Sequence, residues 1–152
     1  MIKVKKILYE DNLEEIAVAI DASAWTENSE INSSDYSINH IKKSLEQSNH
    51  LFCVAYDKEQ FAGIASAFIL TKPDGDIWLY VNEVDVVSEK QRLGVGTELM
   101  KFLETEAAKV GAVEMWLGTE KDNISANALY KSLRPDEIED FVGYNYKIHN
   151  GE

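Results

Sequence analysis

The chain has 152 residues, 45% of them hydrophobic, and its 27 acidic residues outnumber 15 basic ones for a formal net charge of −12. That size and apolar content suit a single globular domain over residues 1–152, while the charge argues against a nucleic-acid partner and favours a cationic one. No apolar run reaches the roughly 20 residues of a membrane span, and the opening "MIKVKKILYEDN" lacks the apolar block of a secretory leader, so the expected location is the cytoplasm, away from membranes.

The first element in chain order is a strand, "IKVKKIL". Asp11, with Glu14 three residues on as capping-box partner, opens a helix whose Leu13, Ile16, Ala17 and Ile20 fall at helical spacing. The polar stretch "TENSEINSSD" follows as a candidate substrate lip. Ser33 or Ser34 then opens a second helix through Ile38, Ile41 and Leu45. "LFCVAYD" and "FAGIASAFIL" read as strands of an antiparallel hairpin, with Cys53 a small buried hydrophobe and Gly63 marking a bulge or a close backbone approach. A turn, "TKPDGD", leads into the long strand "IWLYVNEVDVV". Leu99, Met100, Leu103, Ala107 and Val110 then define a helix from Thr97 to Val110, closed by Gly111. A short strand "AVEMWLG", a turn, a helix "ISANALYKSL", a break at Arg134–Pro135 and a last strand "FVGYNYKI" complete the order β-α-α-β-β-β-α-β-α-β, a mixed sheet with helices packed on it. His40, His50 and His149 have no ligand spacing, so no metal site is expected.

Between the long strand and the third helix stands "SEKQRLGVGTEL". A strand that stops, a glycine turn and a helix that starts at once direct several backbone N–H groups at one point, where the helix dipole also favours negative charge. Gly94 and Gly96 would let a pyrophosphate come against the main chain, and Gln91, Arg92 and Thr97 could add side-chain contacts. By itself a Gly-x-Gly is also an ordinary turn. The dinucleotide fingerprint fails because position 99 is Leu and the motif lies mid-chain, and the lysine of a Walker loop is missing.

Gln91, Gly94 and Gly96 form the Arg/Gln-x-x-Gly-x-Gly/Ala signature of the GCN5-related N-acetyltransferases, which the chain resembles over nearly its whole length. "NISANALY" adds the second signature, Asn-x-x-Ala-x-x-Leu-Tyr, at Asn123, Ala126, Leu129 and Tyr130. The resemblance implies a mostly antiparallel central sheet flanked by helices, and acetyl-coenzyme A as cofactor. It implies a cofactor site built from Val84, Val86, Val87, Gln91, Arg92, Leu93, Gly94, Val95, Gly96, Thr97, Asn123, Ala126 and Tyr130, with a backbone N–H near Val86 polarising the thioester carbonyl. Within the family the chain looks most like the small aminoglycoside N-acetyltransferases of the 3-N type. One departure stands out: relatives carry Gly four residues after the tyrosine, where this chain has Arg134, then Pro135.

Acetyl transfer to an amine needs a neutral amine, a polarised carbonyl and a proton for the departing thiolate. Glu83 and Asp85 alternate with Val84 and Val86, so both acids share one face of their strand and could bind an ammonium group and take its proton; a merely solvated face is the alternative. Tyr130, a phenol that stays protonated at neutral pH, could donate to the sulfur. Asn123 would hold the pantetheine amides, cap its helix, or both. Trp78 and Trp116 read as strand core. Trp25 with Glu27 and Glu30 could receive a cationic acceptor beside Glu83 and Asp85. The expected acceptor is a small polycationic amine, aminoglycoside first and polyamine second. A protein lysine or N-terminus, and a non-catalytic acyl-coenzyme A sensor, are the other readings. Similar enzymes pair through their C-terminal segments, so the apolar last strand implies a homodimer.

Overall fold

The apolar alternation of the strand-like runs produces five neighbouring strands in sequence order: β1 (Ile2–Lys6), β2 (His50–Asp57), β3 (Gln60–Thr71), β4 (Ile77–Val86) and β5 (Glu114–Trp116). In this computed structural model, which describes residues 1–26 and 29–150, β1 to β4 pair antiparallel and β5 adds to β4 in parallel. Helices α1 (Leu13–Ala22) and α2 (Ile38–Leu45) cover one face, and α3 (Val95–Lys109) and α4 (Ile124–Ser132) the other. The mixed, mostly antiparallel sheet flanked by helices is as the sequence implies. Among the described residues no helix is long and apolar enough to cross a membrane, and no group of His, Cys, Asp or Glu is placed to hold a metal ion.

Each face has its own core. Ile7, Leu13, Ile16, Ile20 and Ile41 meet Phe52, Val54 and Ile64 under α1 and α2. Leu99, Met100, Leu103 and Ala107 of α3 meet Leu51, Cys53, Ala65, Ala67, Leu79 and Val81. Cys53 is fully buried, and burial pushes its thiol up to about 12, so it is inert. Gly63 serves both roles read for it. A Cβ there would meet the backbone oxygen of Asp85 at 2.6 Å and Val95 Cγ1 at 3.2 Å, and the β2–β3 register slips beside it.

A second bulge places the acids. On β4 the register runs Tyr80 opposite Phe68 and Val81 opposite Ala67, then jumps to Glu83 opposite Ser66, leaving Asn82 as the extra residue. Side chains alternate across a strand, so the extra residue moves Glu83 and Asp85 onto the face of Trp78 and Tyr80. Val84 and Val86 thereby join Val81 on the α3 side. The signal is in the sequence: the apolar period of Ile77, Leu79 and Val81 slips by one before Val84 and Val86.

Three expectations are corrected. The cap of α1 is Asn12, whose Oδ1 accepts from Glu15 N–H (3.2 Å), while Asp11 turns back to accept from Leu8 N–H (2.7 Å) and Lys5 Nζ (3.2 Å). Ser37, not Ser33 or Ser34, caps α2; Ser33–Asp35 is a separate 3₁₀ turn. The last strand over "FVGYNYKI" is not formed, and no helix or strand follows α4 as far as residue 150. A strand needs a ladder partner for its N–H and C=O groups, and β5, only three residues long, gives this segment none. Phe141 alone docks, its ring 5.5 Å from Trp116, at the end of an aromatic row through Trp78, Tyr80 and Trp116. Val142, Tyr144, Tyr146 and Ile148 are 74–84% exposed.

Candidate active site

The first part of the site is the junction between β4 and α3. Arg92 (φ 62°) and Gly94 (φ 86°) are both left-handed, and Gly94 is the helix N-cap. The first α3 donor paired within the helix is Glu98 N–H, to Gly94 O at 3.0 Å. The N–H groups of Val95, Gly96 and Thr97 precede it and have no intrahelical acceptor. Gly94 has nothing within 4 Å of where a Cβ would stand, so the main chain there is open to a ligand. Gln91, Arg92 and Leu93 are exposed around it, Thr97 is half-buried and Val95 is buried in the core.

Gly96 is different. A Cβ at Gly96 would lie 2.7 Å from Leu129 Cδ2, so its small size serves the packing of α4 on α3. A missing Cβ thus leaves open space at Gly94 and makes room for Leu129 at Gly96. This contact links the two signature segments, since Leu129 belongs to the second.

Asn123 is the N-cap of α4, its Oδ1 accepting from Ala126 N–H at 3.1 Å. Tyr130, one face of the same helix further on, is half-buried beside the α3 core. Burial, reinforced by the charge of Asp85, pushes its phenol up to about 12. Beside β4 the sheet is notched: β5 pairs only with Trp78 to Tyr80, so among the described residues no strand lies on that side of β4 from Val81 to Val86. Val87 N–H is spent on Ala62 O (2.8 Å), and Val84 and Val86 pack toward α3.

The second part is the acid pair. Glu83 and Asp85 share the face expected of them, and hydroxyl groups hold them. Ser66 donates to Glu83 Oε1 (2.9 Å), Tyr36 donates to Glu83 Oε2 (2.5 Å), and Ser29 donates to Asp85 Oδ1 (2.9 Å). Burial raises the Asp85 carboxyl to about 6 against the hydrogen bond from Ser29, with the charges of Glu83 and Glu30 adding to the rise. Burial first, then the bond to Glu83 and the surrounding charges of Glu83, Asp85 and Asp35, raises the Tyr36 phenol well above its ordinary value, which keeps its proton in place.

Glu30 is exposed at the lip, near enough for its charge to act on Asp85. Glu27 lies outside the described residues. Trp25 is not a bare aromatic platform: its ring meets Phe61 edge-on at 6.0 Å, its N–H donates to Ile20 O (3.3 Å), and its backbone bridges to Val87. Ser29, Tyr36 and Ser66 are absent from the sequence reading. Ser66 carried a signal, being the one hydroxyl in the apolar run "FAGIASAFIL" and only 2% exposed. Ser29 and Tyr36 carried none, because their partners lie 56 and 47 residues away.

The model of the acetyltransferase (GNAT) family matches residues 12–133. No curated protein matches the chain. Among solved structures, an aminoglycoside acetyltransferase, meta-AAC0020, from an uncultured soil metagenomic sample, in complex with trehalose, is 20% identical, with 97% of each chain covered and a TM-score of 0.78. AAC(6')-Iy in complex with the bisubstrate analogue CoA-S-monomethyl-acetylneamine is 15% identical, covering 97% of this chain and 99% of that one, with a TM-score of 0.77. A ribosomal-protein-alanine N-acetyltransferase from Brucella melitensis biovar Abortus 2308 is 13% identical over 97% and 99% of the two chains, with a TM-score of 0.74. At these identities the likeness shows the fold.

Proposed function

The chain belongs to the acetyltransferase (GNAT) family, and from that premise we propose that it moves an acetyl group from acetyl-coenzyme A to a primary amine of a small polycationic acceptor, with both substrates bound together. The acceptor is aminoglycoside-like first and polyamine second. The observation that carries this is the acid pair. Two carboxylates on one face, Glu83 and Asp85, are held by hydroxyl donors beside a third acid, Glu30, a setting that suits a ligand carrying several ammonium groups. The aminoglycoside acetyltransferases of the same fold support that acceptor class.

The residues present fit the coenzyme. Open space at Gly94 and the unpaired N–H groups of Val95, Gly96 and Thr97 suit a pyrophosphate, and the notched edge of β4 suits an extended amide chain laid beside it. Bound there, the thioester supplies an activated acetyl group. Because Val87 N–H is already spent, the donor that polarises a carbonyl comes from the free edge of β4 before it, which includes Val86.

Glu83 receives the ammonium and Asp85 takes its proton. At about 6 the Asp85 carboxyl is still mostly ionised at neutral pH, yet it is a stronger base than an ordinary carboxylate. Tyr130 keeps its proton on Oη throughout the neutral range and can release it to a departing sulfur. Asn123 and Ala126 set the start of the helix that aims it. The exposed aromatic tail beyond Phe141 lies beside a cavity of about 690 Å³ bordered by Met100, Ala107, Met115, Leu117 and Leu133, and a second copy of the chain covers this face in a homodimer.

The test is consumption of acetyl-coenzyme A across a panel of aminoglycosides, polyamines and peptides. Turnover is expected with an aminoglycoside or a polyamine. Turnover with peptides alone would make the protein a peptide acetyltransferase, and binding without any turnover would make it a sensor.

A further inference from the structure

We propose that Tyr36 is a positioning residue that, with Ser66, fixes Glu83 as the ammonium receptor, so that residues 29–36 act as a latch which makes the acceptor site selective for hydrogen-bond donors. This rests on the acceptor class proposed above and assigns how that class is recognised.

Tyr36, Ser29 and Ser66 each have one hydroxyl proton, and each points it at a carboxylate: Tyr36 at Glu83 Oε2 (2.5 Å), Ser66 at Glu83 Oε1 (2.9 Å) and Ser29 at Asp85 Oδ1 (2.9 Å). Asn82 Nδ2 donates in turn to Ser66 Oγ (3.3 Å), so Ser66 accepts on one side and has its single proton for Glu83 on the other. A hydroxyl that donates inward presents only lone pairs outward, and an ionised carboxylate has about four acceptor positions in all. What remains for a ligand is therefore a surface of acceptors, which an ammonium with three donors can satisfy and an anion or a carbonyl cannot.

Geometry also separates the two acids. Both Glu83 oxygens are occupied by a hydroxyl, one from β3 and one from the lip, which locks the carboxylate in place. Among the described residues no donor reaches Asp85 Oδ2, so that oxygen is free to take a proton. Ser29 lies near the middle and Tyr36 near the end of the stretch between α1 and α2, and each ties it to β4. The acids that meet the acceptor are thus the same acids that hold the lip in position, and pre-organisation of the receptor comes from outside the sheet.

The experiment is a double-mutant cycle between Tyr36→Phe and Glu83→Gln, read by calorimetry with spermine and with kanamycin as probes and by steady-state kinetics. In Tyr36→Phe the amine Kd and KM should weaken about tenfold, the scale of one hydrogen bond to a charged group. kcat and acetyl-coenzyme A affinity should stay within about twofold. In the Glu83→Gln background the same substitution should have little further effect. An amine affinity equal to wild type in Tyr36→Phe, or full additivity with Glu83→Gln, overturns the latch while leaving the enzyme an amine acetyltransferase. Parallel losses of amine affinity, coenzyme affinity and melting temperature would make Tyr36 a merely structural residue and also overturn it. A wild type that binds and acetylates neither amine removes the acceptor reading, and this inference with it.

Discussion

Replacing Asp85 by Asn should stabilise the protein at neutral pH while disabling it. The folded protein holds the Asp85 carboxyl at about 6, above its ordinary 3.8, so folding disfavours the ionised form. Stability from this group is fully present below the unfolded value and is lost as pH rises through the folded one. A rise of about two units corresponds to about 3 kcal/mol at 1.36 kcal/mol per unit, a ceiling because the side chain keeps some contact with solvent. The amide cannot ionise, and its Oδ1 can still accept from Ser29. Relative to wild type, Asp85→Asn should therefore be nearly neutral near pH 4 and more stable by about 1–3 kcal/mol at pH 8, which for a chain of this size is several degrees in Tm. Urea titrations of both proteins from pH 4 to 8 measure the difference directly, and titrating groups remote from Asp85 cancel in it. Acetyl transfer to the amine should fall steeply in the same variant. A variant less stable than wild type at pH 8, or a difference that does not change with pH, would refute the assignment of burial as the cause.

Gly96→Val should destabilise by about 1–3 kcal/mol through collision with Leu129, and adding Leu129→Ala should recover part of that in a denaturant cycle; independent, additive losses would break the link between the two helices. Arg134→Gly should stabilise by about 0.5–1 kcal/mol in urea unfolding, because Arg134 holds φ 55°, a left-handed conformation that glycine adopts without strain; an unchanged midpoint would mean the strain is absent. Tyr130→Phe should keep coenzyme affinity and lower kcat about 10²-fold at saturating amine, and wild-type turnover would reduce Tyr130 to a packing residue.

What was legible in the sequence follows the range of the interactions. Helix α3 was readable because Leu99, Met100, Leu103 and Ala107 repeat at its own period and Gly111 (φ 76°) closes it. The shared face of Glu83 and Asp85 was readable from strand alternation alone. The caps of α1 and α2 fell one to four residues away from their expected places because several Ser, Asp and Asn residues stand close together, each with a competent side chain. The tail's alternating aromatic residues look like a strand, but a strand exists only with a neighbour, which local sequence does not report. The same limit hid Tyr36 and Ser29, whose roles exist only once the lip is folded over β4.

The bulge at Asn82 means that β4 has two possible frames, offset by one residue, and the hydrophobic core chooses between them. Without the extra residue, Glu83 and Asp85 would take the places of Val84 and Val86 on the side of Leu99 and Leu103, an arrangement that would bury two charges among aliphatic side chains. The valines thus exclude the wrong frame from the side of the sheet opposite the acid pair. The address of the acids is written by residues on the far face of the sheet, so replacing either acid should leave the strand that carries it in place.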